Sequence, residues 1–130
     1  MNMPMARSRK ILIVDDDHTI VELLSRVLSR EGYQICTAFD GEEALFQLGA
    51  EHPDMILLDL NLPKLPGEEV CKQVRANDKT KDLPVIMITA KISESEKIIG
   101  KVIGANHYIT KPFNINDLIN IVDDTFSLFN

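Results

Sequence analysis

Ile11-Leu12-Ile13-Val14-Asp15-Asp16-Asp17 passes in a single step from four aliphatic residues to three carboxylates. A short apolar run without alternation reads as a strand covered on both faces, the usual situation in a parallel sheet. The pattern recurs along the chain. Met55–Leu58 stops at Asp59, Val85–Ile88 at Thr89, and Tyr108–Thr110 at Lys111. In an open α/β sheet the carboxyl ends of the strands border the functional crevice. Carboxylates, a hydroxyl and an amine are therefore expected on one rim, a set suited to holding a divalent cation and a phosphoryl group.

Segments of helical periodicity lie between these runs. Ile20, Leu23, Leu24, Val27 and Leu28 form one stripe, closed by Gly32. Tyr33–Ala38 reads as a second strand. Asp40-Gly41-Glu42-Glu43 is a capping signal that opens a helix with Ala44, Leu45 and Leu48 on its apolar face. After Pro63-Lys64-Leu65-Pro66-Gly67, a third helix presents Val70 and Val74 inward. Ser93-x-x-Glu96 opens a fourth, with Ile98, Ile99, Val102 and Ile103, and Gly104 ends it. The last helix runs from about Asn114 to near the chain end along Ile115, Leu118, Ile119, Val122 and Phe126. Strands alternating with helices predict one doubly wound (βα)5 α/β domain, a five-stranded parallel sheet with helices on both faces.

The 130 residues suit one domain, and an apolar fraction of 45% with 26% charged residues is ordinary for a globular chain. No apolar stretch approaches the roughly 20 residues that span a membrane. The start is basic and lacks the pattern of a signal peptide, so residues 1–9 are expected as a flexible basic tail before a domain over 10–130, with a cytoplasmic location. Cys36 and Cys71 have neither metal-ligand nor CxxC spacing and read as free thiols. A net charge of −6 opposes general nucleic-acid binding.

Asp15, Asp16 and Asp59 would repel one another if left together without a cation. Mg²⁺ answers this, because it takes one or two carboxylates together with phosphate oxygens. The Thr89 hydroxyl, with the small Ala90 behind it, is placed to donate to a phosphoryl oxygen. Lys111 adds a compact positive charge. Pro112 follows it, making an X-Pro bond that can be cis and can fix the direction of the lysine.

These residues together carry a resemblance. Ile11-Leu-Ile-Val-Asp-Asp-Asp, Met55-Ile-Leu-Leu-Asp-Leu-Asn-Leu-Pro, Val85-Ile-Met-Ile-Thr-Ala and Tyr108-Ile-Thr-Lys-Pro-Phe113, in that order, resemble the receiver domain of two-component response regulators, the CheY-like family. The resemblance implies a flavodoxin-like sheet of order 2-1-3-4-5. It makes Asp59 the phosphoacceptor, with Mg²⁺ held by Asp15, Asp16, Asp59 and the carbonyl of Asn61. Thr89, Ala90 and Lys111 would contact the phosphoryl group, and Pro112 would be structural. The donor would be a sensor histidine kinase or a phosphotransfer protein, and the chain a phosphoacceptor rather than an enzyme. Thr89 and Tyr108 would form a switch pair that remodels the face made by the fourth helix, fifth strand and last helix, so as to control a downstream protein. Asn61 and Lys91 would tune the lifetime of the acyl phosphate.

The match is loose in places. Pro66 precedes Gly67 where many receivers have Asp, and Asn106-His107 stand where many have two acidic residues. The last helix has Asp117, Asp123 and Asp124 but no arginine, which disfavours the family's dimer through that face; a monomer or weak dimer is expected. His107 is read as neither switch nor ligand. The chain stops just after the last helix, so no DNA-binding or enzymatic domain is expected to follow. Asp15-x-Asp17-x-Thr19 also resembles the first motif of haloacid-dehalogenase-type phosphatases, with Asp15 as nucleophile, Asp17 as general acid and Asp123-Asp124 as an acidic pair. A receiver acting without phosphorylation, as an interaction module, is the third alternative.

Overall fold

The computed structural model describes residues 8–90 and 104–128. The strands are β1 (Lys10–Val14), β2 (Gln34–Ala38), β3 (Met55–Leu58), β4 (Val85–Thr89) and β5 (His107–Thr110). Among the described residues the helices are α1 (His18–Arg30), α2 (Gly41–Glu51), α3 (Gly67–Ala76) and α4 (Ile115–Leu128). The helix expected over Ser93–Ile103, Lys91 and most of the basic tail lie outside the described residues. Every strand pair is parallel, and the order is β2-β1-β3-β4-β5. This is the expected doubly wound, flavodoxin-like α/β fold. No described helix is long and apolar enough to cross a membrane.

Two cores explain why the central strands carry no polar alternation. Leu12 and Val14 of β1 point into a cluster with α2 and α3, whereas Ile11 and Ile13 point into one with α1 and α4. Each core is built from the same strands by opposite parity, so a strand buried on both sides must be apolar throughout. The α1 stripe differs in detail from expectation. Val21, Leu24 and Leu28 are buried, while Leu23 is exposed. At about 100° per residue, Leu23 lies some 200° from Val21, on the outer side of the helix. On α4 the polar Thr125 joins Leu118, Val122 and Phe126 inside, and its hydroxyl donates to the Ile121 carbonyl.

Local chemistry sets the helix starts. Asp17 caps α1 by accepting from the Thr19 and Ile20 amides. Asp40 caps α2 through the Glu43 amide at 2.7 Å, and the Glu43 carboxylate reaches back to the Phe39 amide at 2.7 Å. That return bond lands one residue earlier than in the standard capping box.

Arg75, on α3, ties three segments together. Its guanidinium donates to the carbonyls of Lys81, Leu83 and Gly104 and to the Asn106 side chain. All five of its N–H groups are used, the full capacity of an arginine. Asn106 also accepts from the Val85 amide at 2.7 Å, fixing where β5 begins beside β4.

Candidate functional site at the strand carboxyl ends

The site residues sit one rung beyond the strands that carry them. The Asp59 amide donates to the Val14 carbonyl at 3.0 Å, the Asp15 amide to the Ala38 carbonyl at 3.2 Å, and the Lys111 amide to the Thr89 carbonyl at 2.8 Å. Parallel pairing thus continues past each apolar run, and register alone brings Asp15, Asp59 and Lys111 to one rim.

Their side chains meet there. Lys111 Nζ lies 2.7 Å from Asp15 Oδ2 and 3.2 Å from Asp59 Oδ2. The remaining oxygens accept backbone amides, Asp15 Oδ1 from Asp17 at 2.9 Å and Asp59 Oδ1 from Asn61 at 3.2 Å. Both carboxylates are buried, at 3% and 5% exposure, whereas Asp16 is open to solvent. Burial pushes the Asp15 carboxyl above its ordinary value, outweighing the Lys111 hydrogen bond and the Asp17 amide, and the Asp59 charge adds to the rise. Burial works to lower Lys111, but the Asp15 hydrogen bond and the Asp59 and Asp15 charges outweigh it and hold the ammonium above its ordinary value.

Oxygens of Asp15, Asp16 and Asp59 all lie within 4.8 Å of one another. A hard cation fits this donor set of carboxylates, two shielded and one facing water. The Thr89 hydroxyl supplies an independent sign of a ligand. It is fully buried and, among the described residues, has no hydrogen-bond partner. A buried hydroxyl left without a partner costs about 1–3 kcal/mol, which an arriving acceptor would recover.

Thr89 and Tyr108 occupy one face of the sheet. Tyr108 pairs with Met87, and Thr89 follows Met87 by two residues, so the three side chains share a side. Tyr108 is half-buried against the core formed with α2 and α3, and burial, followed by the nearby Cys71, pushes its hydroxyl above the ordinary value. Ala90 is exposed at the end of β4, and the Lys111–Pro112 peptide is cis.

Other expectations fall away from the rim. Asp123 and Asp124 lie within α4, and Asp123 accepts a hydrogen bond from the Tyr33 hydroxyl, beside the start of β2. The acidic pair of the phosphatase reading is therefore at the opposite pole from Asp15. Of the two cysteines, Cys71 is buried, while Cys36 is only partly so.

Gly67 contributes in a way that the sequence reading did not assign, having treated it as loop punctuation. It opens α3 directly behind the phosphoacceptor candidate. A Cβ there would collide with the Asp59 carbonyl and stand 2.8 Å from Leu60 Cα. Only a residue without a side chain lets α3 start so close to the end of β3. A glycine at a helix start just after Pro66 was the available signal.

Residues 11–123 match the family model described as the response regulator receiver domain. The chain is 50% identical over 107 residues to the alkaline phosphatase synthesis transcriptional regulatory protein PhoP of Bacillus subtilis (strain 168), an alignment covering 82% of this chain and 44% of that protein. The chain thus spans less than half the length of that curated relative. Among solved structures, the chemotaxis protein CheY4 of Vibrio cholerae superposes with a TM-score of 0.87 at 36% identity, covering 91% of this chain and 98% of that one. A CheY-like receiver domain protein from Methanospirillum hungatei gives 0.88 at 29% identity, covering 93% and 95%. With the parallel sheet, the acidic rim and the strand-end lysine already in place, the chain belongs to the response regulator receiver domain family of two-component systems.

Proposed function

We propose that Asp59 accepts a phosphoryl group from the phosphohistidine of a sensor histidine kinase or a phosphotransfer protein. The observation that carries this reading is the Asp59 carboxylate, buried between the Lys111 ammonium and the Asn61 amide, next to Asp15 and Asp16. In the transfer, an Asp59 carboxylate oxygen forms a bond to phosphorus as the phosphorus–nitrogen bond breaks. The leaving imidazole keeps that electron pair and takes a proton from water. The product is an acyl phosphate on Asp59.

The residues around it have separable tasks. Lys111 is already aimed at Asp59 and neutralises charge on the incoming oxygens, so little reorganisation is needed at the moment of transfer. The Thr89 hydroxyl donates to a phosphoryl oxygen, gaining the partner it lacks. Asp15, Asp16, Asp59 and the Asn61 carbonyl would hold Mg²⁺, which when bound offsets negative charge on the transferring group. The exposed Ala90 borders the same phosphoryl position.

Thr89 and Tyr108 share a face of the sheet, which supports their pairing as a switch. Drawing the Thr89 hydroxyl inward frees space beside Tyr108 and changes the surface offered to a downstream protein near β5. Moving such an equilibrium from mostly one state to mostly the other takes about 5.5 kcal/mol of differential interaction. Several charge-assisted hydrogen bonds of ~1.5–3 kcal/mol each supply that amount. Asn61 and Lys91 stand as the candidates for tuning the lifetime of the phosphorylated form. The curated relative is named as a transcriptional regulator, and an output of that kind would lie outside the residues aligned here.

Acetyl phosphate with Mg²⁺ tests the reading, with intact mass as the readout. The protein should gain one phosphoryl group, and Asp59→Asn or chelation of the metal should abolish the gain. Turnover of a generic phosphomonoester that requires Asp15 would favour the phosphatase reading instead. No modification by acetyl phosphate or by phosphorylated kinases would leave only an interaction module.

A further inference from the structure

A second surface, on α2, has no part in the chemistry above. Phe46 is 72% exposed, while Ala44 and Leu48 of the same helix are buried. Gly49 and Ala50 follow three and four residues later, also exposed, and therefore lie beside the ring on the same outer face. A Cβ added at Gly49 would meet nothing within 4 Å. Gly49 also borders a groove of about 420 Å³ between α2 and α3, floored by Leu45, Leu48, Val74 and Leu83. An aromatic knob thus stands beside a hollow with an apolar floor and a polar rim that includes Gln73, Asn77 and Thr80.

Charge follows the same division. At the start of α2, Asp40 and Glu43 are engaged in capping, but Glu42 is exposed and forms no ion pair among the described residues. At the other end of the groove stand His52 and Lys79, both exposed and equally without an ion pair among the described residues. The acid lies at one end of the helix, the knob at its middle, and the base beyond its other end.

We propose that this face is a self-association surface on which two copies of the chain pack α2 antiparallel to α2. Phe46 of each copy covers Gly49 and enters the groove of its partner, and Glu42 of each faces the partner's His52 and Lys79. One register satisfies both contacts, because the two helices rise equally per residue. A two-fold interface requires one patch to carry both halves of every contact, and this patch does. A foreign partner would need only one half. The opposite charges also answer the repulsion between two chains of net charge −6. A contact centred on one helix is smaller than the ≈ 800 Å² per partner of standard stable complexes, so the dimer is weak and concentration-dependent. Asp59 takes no part in it, and the inference stands apart from the phosphoryl reading.

Sedimentation velocity on the full chain from micromolar to millimolar concentration tests this. The mass should climb toward a dimer. Phe46→Ser, a change at an exposed site, should weaken association by about tenfold or more, as truncating a central aromatic anchor does. Glu42→Lys and Lys79→Glu should each weaken self-association, and an equimolar mixture of those two variants should restore it, since both 42–79 pairs across the copies then join opposite charges. Three results would overturn the proposal: a chain that stays monomeric throughout, a dimer indifferent to Phe46→Ser, or a mixture that associates no better than its components. Occupation of the groove by an unrelated acidic peptide, with the chain still monomeric, would overturn it too.

Discussion

Replacing Lys111 with methionine removes the one cation that, among the described residues, sits between two buried carboxylates, and keeps most of the side-chain volume. Asp15 Oδ2 loses a 2.7 Å donor and Asp59 Oδ2 a 3.2 Å donor, while each Oδ1 keeps its backbone amide. Hydrogen bonds to charged groups contribute about 1.5–3 kcal/mol, so one short and one long bond amount to about 3 kcal/mol. That lies at the lower end of the ~3–5 kcal/mol for breaking a buried pair, as suits a rim that stays partly open to water. Urea unfolding of the metal-free protein at pH 7 should therefore show a loss of about 3 kcal/mol. The pH dependence adds a second constraint. The raised Lys111 pKa means that its contribution is present below the unfolded lysine value and is lost only as pH rises through the folded one. On the acid side, the contribution ends where Asp15 protonates, above its ordinary value because of burial. The deficit should thus be flat from neutral pH upward to the lysine range and shrink as pH falls through the Asp15 titration. In an Asp15→Asn background the same substitution should do less harm, because one buried charge is already gone. A deficit that grows on acidification, or one unaltered by Asp15→Asn, would refute the reasoning.

Thr89→Val should raise stability by about 1 kcal/mol, since it removes, at nearly constant volume, a buried hydroxyl that has no partner among the described residues. The same variant should still accept phosphate on Asp59 yet lose the phosphorylation-dependent change near Tyr108, followed by tyrosine fluorescence. Gly67→Ala should cost about 1–3 kcal/mol through the clash with the Asp59–Leu60 backbone, and acetyl phosphate should modify it more slowly. Arg75→Lys should cost about 2 kcal/mol or more in thermal unfolding, because an ammonium replaces five fixed donors with three and cannot span the same carbonyls.

The strand ends were legible because parallel pairing needs apolar runs, and a run that stops at a charged residue marks the rim. Asp15, Asp59, Thr89 and Lys111 stand together in the structure for that reason, and Asp40 caps α2 as its spacing implied. Arg75 was not legible. Its partners are mainly main-chain carbonyls from two loops, and a carbonyl leaves no trace in residue type. Phe46 stands off the apolar face of Ala44, Leu45 and Leu48, and its exposure agrees with that spacing. Leu23 was not legible, its placement depending on a rotation of α1 that several stripes would have allowed.

The positions of Arg75 and Lys111 have a joint consequence for β5. It is an edge strand, paired on one side only, and such strands are prone to slip or fray. Here Arg75 holds the approach to its first residue through Gly104 and Asn106, and Lys111 holds the residue after its last through Asp15 and Asp59. The strand is a short beam clamped at both ends by cations. A beam so held cannot answer an event at Asp59 by sliding along β4. Under the proposed switch, the answer would come from Tyr108, near its middle, turning about a backbone that stays still.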